Sequence, residues 1–206
     1  ALLSHWLFHW EGCPVQFAEV LPIESLSSTR NHSRILLIKP SSLGDIVHAF
    51  PVVSALKAQW PDAHLTWVVK RQWVELVERA EGVDRVWPVE ETVGSWLGQA
   101  QALRAERFDL AVDLQGLFRS GALARWSGAP MRIGFANGRE GSPWFYTQRV
   151  EAPTTEMHAV DRYLLVAAAL GVRVQESPRF RFKILDADMT MVRELFRSKG
   201  ASLDQP

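Results

Sequence analysis

Asp45 is the carboxylate around which a reaction is most readily written. It stands in residues 34–51, RILLIKPSSLGDIVHAFP, where four apolar residues give way to Lys39-Pro40-Ser41-Ser42 and then to Gly44-Asp45. A carboxylate in a cleft is ionised at neutral pH and can take a proton from a hydroxyl nucleophile. The same position is also an ordinary one for a helix-start acid, stabilised by the helix dipole by about 0.3–1 kcal/mol. The residues alone leave both readings open. Ser41, Ser42 and Gly44 add hydroxyls and exposed N–H groups to the turn, a setting that suits an anion or polar ligand. His48, one turn after Asp45, can orient the carboxylate, touch a substrate, or simply be a satisfied core histidine.

A second group follows at Asp113-Leu114-Gln115-Gly116, where an apolar run ends in two hydrogen-bonding side chains and a glycine that permits close approach. A capped strand-to-helix turn accounts for it equally well. Between residues 117 and 150 the charged residues are Arg119, Arg125, Arg132, Arg139 and Arg149 against Glu140 alone. Planar guanidinium groups in such excess suit carboxylate or phosphate recognition, with a solvated basic face as the plainer alternative. His158, Asp161 and Arg162 share a helix face by spacing, and an Asp161–Arg162 pair would explain two of them without function.

These residues need elements that bring them together. Short apolar runs at 34–39, 65–69, 84–89, 110–114 and 131–135 alternate with helical patterns at 45–59, 73–79, 95–106 and 117–126. That alternation predicts an α/β fold, a Rossmann-like parallel sheet with helices on both faces. In such a sheet ligands bind at the carboxyl ends of the strands, near the point where strand order reverses. Ser41, Ser42, Gly44, Asp45, Lys70, Arg71, Gln115, Arg119, Asn137 and Arg139 all follow strand ends. Farther on, residues 148–150 read as extended. A helix over 156–170 is capped by Thr154 or Thr155 and stopped by Gly171, and an amphipathic helix covers 187–199. Three parts result: an extension at 1–33, weakly structured or peripheral, a domain at 34–171, and a linker with the start of a further domain at 172–206.

Composition narrows the class. The 206 residues carry 23 basic and 23 acidic side chains, which excludes a nucleic-acid binder driven by bulk charge. One cysteine allows no internal disulfide, and the six histidines show no ligand spacing, so no metal is expected. No apolar run reaches the roughly 18 residues of a transmembrane segment. The turn after the first strand lacks G-x-G-x-x-G, and neither a Walker A motif nor a G-x-S-x-G elbow is present. Residues alone thus end at a ligand-binding parallel α/β domain, and a non-catalytic module for an anionic glycan or nucleotide satisfies them.

Four segments in order, ILLIKPSSLGDIVHAFP, DLAVDLQGLFRSGALAR, RIGF…REG…FYTQRV and MHAVDRYL, together resemble the family 9 glycosyltransferases, within them the heptosyltransferase I group. The resemblance covers residues 34–171. It implies the N-terminal half of a GT-B glycosyltransferase, holding the lipid-linked lipopolysaccharide inner-core (Kdo) acceptor. The nucleotide-sugar donor, ADP-heptose, would be bound mainly by a C-terminal domain outside these residues, so the chain alone is expected to be inactive. Transfer would be inverting and metal-independent, with no cofactor, in the cytoplasm and peripheral at the cytoplasmic face of the inner membrane. Asp45 becomes the base. Ser41, Ser42, Gly44, His48, Gln115, Arg119, Arg139 and His158 become substrate-binding residues. Lys70-Arg71 departs from the acidic residues expected at that point.

Overall fold

The computed structural model describes residues 31–90, 93–152, 157–174 and 177–200. Expectations for residues 1–30, the Thr154/Thr155 cap and the last six residues lie outside them. Among the described residues six strands form the sheet: β1 (Arg34–Ile38), β2 (His64–Lys70), β3 (Arg85–Val89), β4 (Leu110–Asp113), β5 (Met131–Phe135) and β6 (Gln148–Val150). Every pairing is parallel, in the order β3-β2-β1-β4-β5-β6. The helices are α1 (Leu43–His48), α2 (Phe50–Gln59), α3 (Val74–Glu78), α4 (Val93–Ala105), α5 (Phe118–Trp126), α6 (Ala159–Ala169) and α7 (Asp186–Ser198).

Side chains alternate across a strand, and here both faces are apolar because both are covered. Ile35, Leu37, Leu65, Trp67, Val69, Val112 and Ile133 pack on one face beneath α1, α2 and α6. Leu36, Ile38, Val68 and Ala111 face the other way, against Leu103 of α4 and Leu123 and Ala124 of α5. His32 and Ser33 already belong to this body: Ser33 N donates to Asp109 Oδ2 at 2.7 Å, and buried His32 lies 3.0 Å from Asp109 Oδ1.

The helix read over 45–59 is two helices. Pro51 has no N–H with which to continue the ladder, so the chain turns at Ala49, whose N–H reaches back to Asp45 O at 3.1 Å. The short first helix therefore carries the Gly44-Asp45 turn independently of α2. The helix read from 156 is seen from Ala159, capped by His158, whose Nδ1 accepts the Val160 N–H at 3.3 Å.

Tyr146 shows how closely the loops are fitted to the sheet. Its ring lies over Gly134, where an added Cβ would come within 2.5 Å of ring carbons, and its hydroxyl reaches Asp113 Oδ2 at 2.7 Å. Replacing Gly134 by Ala is expected to push the ring off this seat at a cost of about 1–3 kcal/mol. Urea denaturation of the variant measures it, with a matching loss in Tyr146→Phe if the hydroxyl is what the ring delivers.

Candidate functional site

Strand order reverses between β1 and β4, which are neighbours in the sheet although two other strands separate them in sequence. Ile38 is in register with Asp113, so the chain leaving β1 and the chain leaving β4 emerge side by side. Lys39 follows β1 directly. It is buried, and the Trp67 indole N–H donates to its carbonyl at 3.2 Å, fixing the strand end. Its Nζ lies 3.4 Å from Asp45 Oδ2, donates to Gln115 Oε1 at 3.3 Å, and sits 5.3 Å from the centre of the Tyr163 ring.

Asp45 is held from three elements. Oδ2 accepts both the Ser42 N–H and the Ser42 hydroxyl at 3.1 Å, which is the helix-start role that its position suggested. Oδ1 accepts the Tyr163 hydroxyl, from α6, at 3.0 Å. The carboxylate thus fills the Ser42 N–H that an external anion would otherwise find. Partial burial alone would raise the Asp45 carboxyl, but Lys39, the Ser42 bonds and Tyr163 outweigh it and hold it below the usual carboxylate range. The side chain remains 37% exposed. A carboxylate offers about four lone pairs, and these hydrogen bonds leave one on Oδ1.

His48 does not hydrogen-bond Asp45. Its ring meets that of His158 edge-on, 5.1 Å between centres, which joins α1 to the cap of α6. Burial and His158 push His48 down, against an opposing pull from Asp45. His158 is exposed beside it, so the two predicted histidines do come together. Ser41 is half-buried in the turn and Gly44 is exposed.

On the β4 side, Asp113 is completely buried and is a structural anchor. Oδ1 accepts the N–H groups of Gln115 (2.8 Å) and Gly116 (3.2 Å), while Oδ2 takes Tyr146. Burial pushes its carboxyl up even though these donors oppose the shift. Gly116 adopts φ 67°, and its carbonyl accepts the Arg139 N–H at 2.8 Å. The loop after β5 is thereby tied to the loop after β4, and exposed Arg119 and Arg139 flank the same turn. The arginine excess divides: Arg132 donates to Phe145 O at 2.8 Å and Ala129 O at 2.7 Å, and Arg149 donates to Pro143 O at 2.9 Å. Those two brace backbone. Nor does Arg162 pair with Asp161, since adjacent helical residues do not face each other. It stacks on Phe135 at 4.4 Å and donates to Asn137 Oδ1 at 3.3 Å.

Sequence reasoning passed over Lys39 and Tyr163. A lysine closing a wholly apolar strand at the first strand end was the available signal for Lys39. For Tyr163, 118 residues from Asp45, no local pattern pointed to the contact.

Among solved structures, the glycosyl transferase family 9 protein from Veillonella parvula superposes with a TM-score of 0.72 at 21% identity, covering 85% of this chain and 51% of that one. The Escherichia coli heptosyltransferase WaaC with ADP-2-deoxy-2-fluoro heptose gives 0.62 at 27% identity, over 70% and 50% of the two chains. Sheet order, switch point and these neighbours define a Rossmann-like domain of GT-B architecture. Glycosyltransferase family 9 (heptosyltransferase) matches residues 96–199, half of the chain. The chain belongs to this family. Lipopolysaccharide heptosyltransferase 1 of Pseudomonas aeruginosa is 32% identical over 158 residues, 70% of this chain and 44% of that protein. The chain spans about half the length of the relatives it matches.

A Cβ built on Gly44 meets nothing within 4 Å, so no packing within the described residues demands glycine there. Gly44→Ala is expected to stabilise the fold by about 0.5–1 kcal/mol through helix propensity. Thermal unfolding measures this. A stabilised variant with weakened ligand binding would place the need for glycine in a ligand.

Proposed function

We propose that this chain is the acceptor-side domain of a lipopolysaccharide heptosyltransferase, with Asp45 as the general base. The observation that carries the reading is the Asp45 carboxylate itself: at the switch point, partly exposed, held below the usual carboxylate range, with a lone pair left on Oδ1. In this reading Oδ1 takes the proton of an acceptor hydroxyl as its oxygen attacks the anomeric carbon of the sugar. The new C–O bond forms on the face opposite the breaking bond to the nucleoside diphosphate, so the configuration inverts. The diphosphate leaves with the bonding pair, and no metal or cofactor takes part on this side.

Ser41, Ser42, Gly44, His48, Gln115 and His158 line the acceptor side in this proposal. Arg119 and Arg139, on the turns beside Gly116, meet anionic groups of an inner-core acceptor. Similarity to the lipopolysaccharide heptosyltransferase 1 of P. aeruginosa supports a lipopolysaccharide acceptor, and the E. coli structure with ADP-2-deoxy-2-fluoro heptose supports ADP-heptose as donor. We assign the donor mainly to the portion of the relatives' length that this chain does not span. Action at the cytoplasmic face of the inner membrane follows from a lipid-linked acceptor. No helix among the described residues is long and apolar enough to cross a membrane.

In the full-length protein, Asp45→Asn is expected to lower transfer from ADP-heptose by about 10²–10⁴-fold. Near-normal rates would remove Asp45 as the base. Arg119→Ala is expected to raise the acceptor KM or lower kcat, and steady-state kinetics with varied acceptor check it. If the fold binds acceptor but transfers nothing with any nucleotide sugar, the domain is a glycan-binding module.

A further inference from the structure

Lys39 is an ammonium-bearing side chain with only 4% of its surface exposed, placed at the end of an apolar strand. Burying such a group is costly unless it is well paired, and a buried ion pair is by itself weak evidence of a role in stability. The Asp45 carboxylate, the Gln115 amide oxygen and the face of Tyr163 favour the cation, while burial, the larger influence, pushes the ammonium below its ordinary value. Tyr163 is itself 5% exposed, and its hydroxyl is spent on Asp45 Oδ1. Two buried side chains from different elements therefore converge on one partly exposed carboxylate, each on a different oxygen.

We propose that Lys39 and Tyr163 are positioning residues for proton abstraction, Lys39 keeping Asp45 a carboxylate and Tyr163 aiming its remaining Oδ1 lone pair outward. The inference rests on the reading of Asp45 as base. Lys39 opposes protonation of Asp45, because a protonated acid leaves the buried ammonium without its counter-charge. Tyr163 stays a donor: burial and the adjacent Asp45 push its hydroxyl well up. Other charged and titratable groups facing the pair are His48 on α1, His158 at the cap of α6, Arg162 on α6, and Asp113 at the end of β4. Asp113 is committed to Tyr146 and two backbone N–H groups, and Arg162 to Phe135 and Asn137. Among the described residues, Lys39 is thus the cation in direct contact with Asp45.

The sign of the pH effect follows. A carboxyl held low loses its ionised form only as pH falls through that low value, so the acid limb that Asp45 contributes to kcat/KM lies below the usual carboxylate range. Without Lys39 only the Ser42 and Tyr163 hydrogen bonds oppose the effect of burial on Asp45, and the acid limb moves to higher pH.

The test uses the full-length protein with Lys39→Met, Lys39→Arg and Tyr163→Phe, reading the pH dependence of kcat/KM and the carboxyl NMR titration of Asp45, assigned by its absence in Asp45→Asn. Lys39→Met is expected to raise the Asp45 titration and the acid limb together by about one unit or more, with Lys39→Arg restoring most of the shift. Tyr163→Phe is expected to raise both less, and to lower kcat with little change in acceptor KM. Should Lys39→Met fail to fold, Tyr163→Phe decides. Titration of Asp45 unchanged in the folded variants overturns the inference. The base assignment is judged separately: an active Asp45→Asn removes it, whereas the NMR titration still reports whether Lys39 and Tyr163 govern the carboxylate.

Discussion

Parallel pairing of β1 with β4 is the constraint on which the site depends. Its register sets Ile38 beside Asp113, so residues 39–45 and 113–119 leave the sheet from adjacent points. Helices connecting β1 outward to β2 and β4 outward to β5 lie on opposite faces, so the turns that leave these two strand ends run between them. Lys39 can reach Gln115 only because these two strands are neighbours. Had the order been sequential, the two turns would sit at different parts of the edge.

Around that opening the molecule is built in two layers of polar contact. The inner layer is fully buried: Asp113 receives two backbone N–H groups and the Tyr146 hydroxyl, and so fixes both the turn after β4 and the segment after β5. Removing an acceptor of this kind would orphan three donors, each costing about 1–3 kcal/mol. The outer layer is half-open: Asp45, His48 and His158, with Lys39 and Tyr163 behind them. The rigid layer carries the accessible one, which is the arrangement that holds a reacting group in place.

The contrast between the two aspartates is instructive. Asp113 closes β4 and Asp45 lies in the first turn of α1, and each accepts backbone N–H donation from its strand-to-helix turn. Burial dominates at Asp113 and pushes its carboxyl up, while at Asp45 the neighbouring ammonium and hydroxyl donors dominate and hold it down. Exposure and one cation separate an anchor from a group available for proton transfer.

The alternation of apolar runs with helical patterns determined the parallel α/β class, and the polar residues after each run determined which side chains would gather at one edge of the sheet. Those are local properties: period, turn chemistry and the identity of a few residues. The same reading marked Asp45, Gln115, Arg119 and Arg139, because each follows a strand directly. It took 45–59 as one helix, since apolar spacing runs across Pro51. It also pooled five arginines, of which the fold commits Arg132 and Arg149 to loop carbonyls, sets Arg119 and Arg139 beside the turn after β4, and leaves Arg125 in the last turn of α5. Lys39 and Tyr163 acquired meaning only in three dimensions. Their contacts with Asp45 run from β1 and α6, and a hydrogen bond across 118 residues leaves no trace in spacing. Strand order decided it, because only the sheet brings the end of β1, the turn after β4 and the start of α6 within a hydrogen bond of one another.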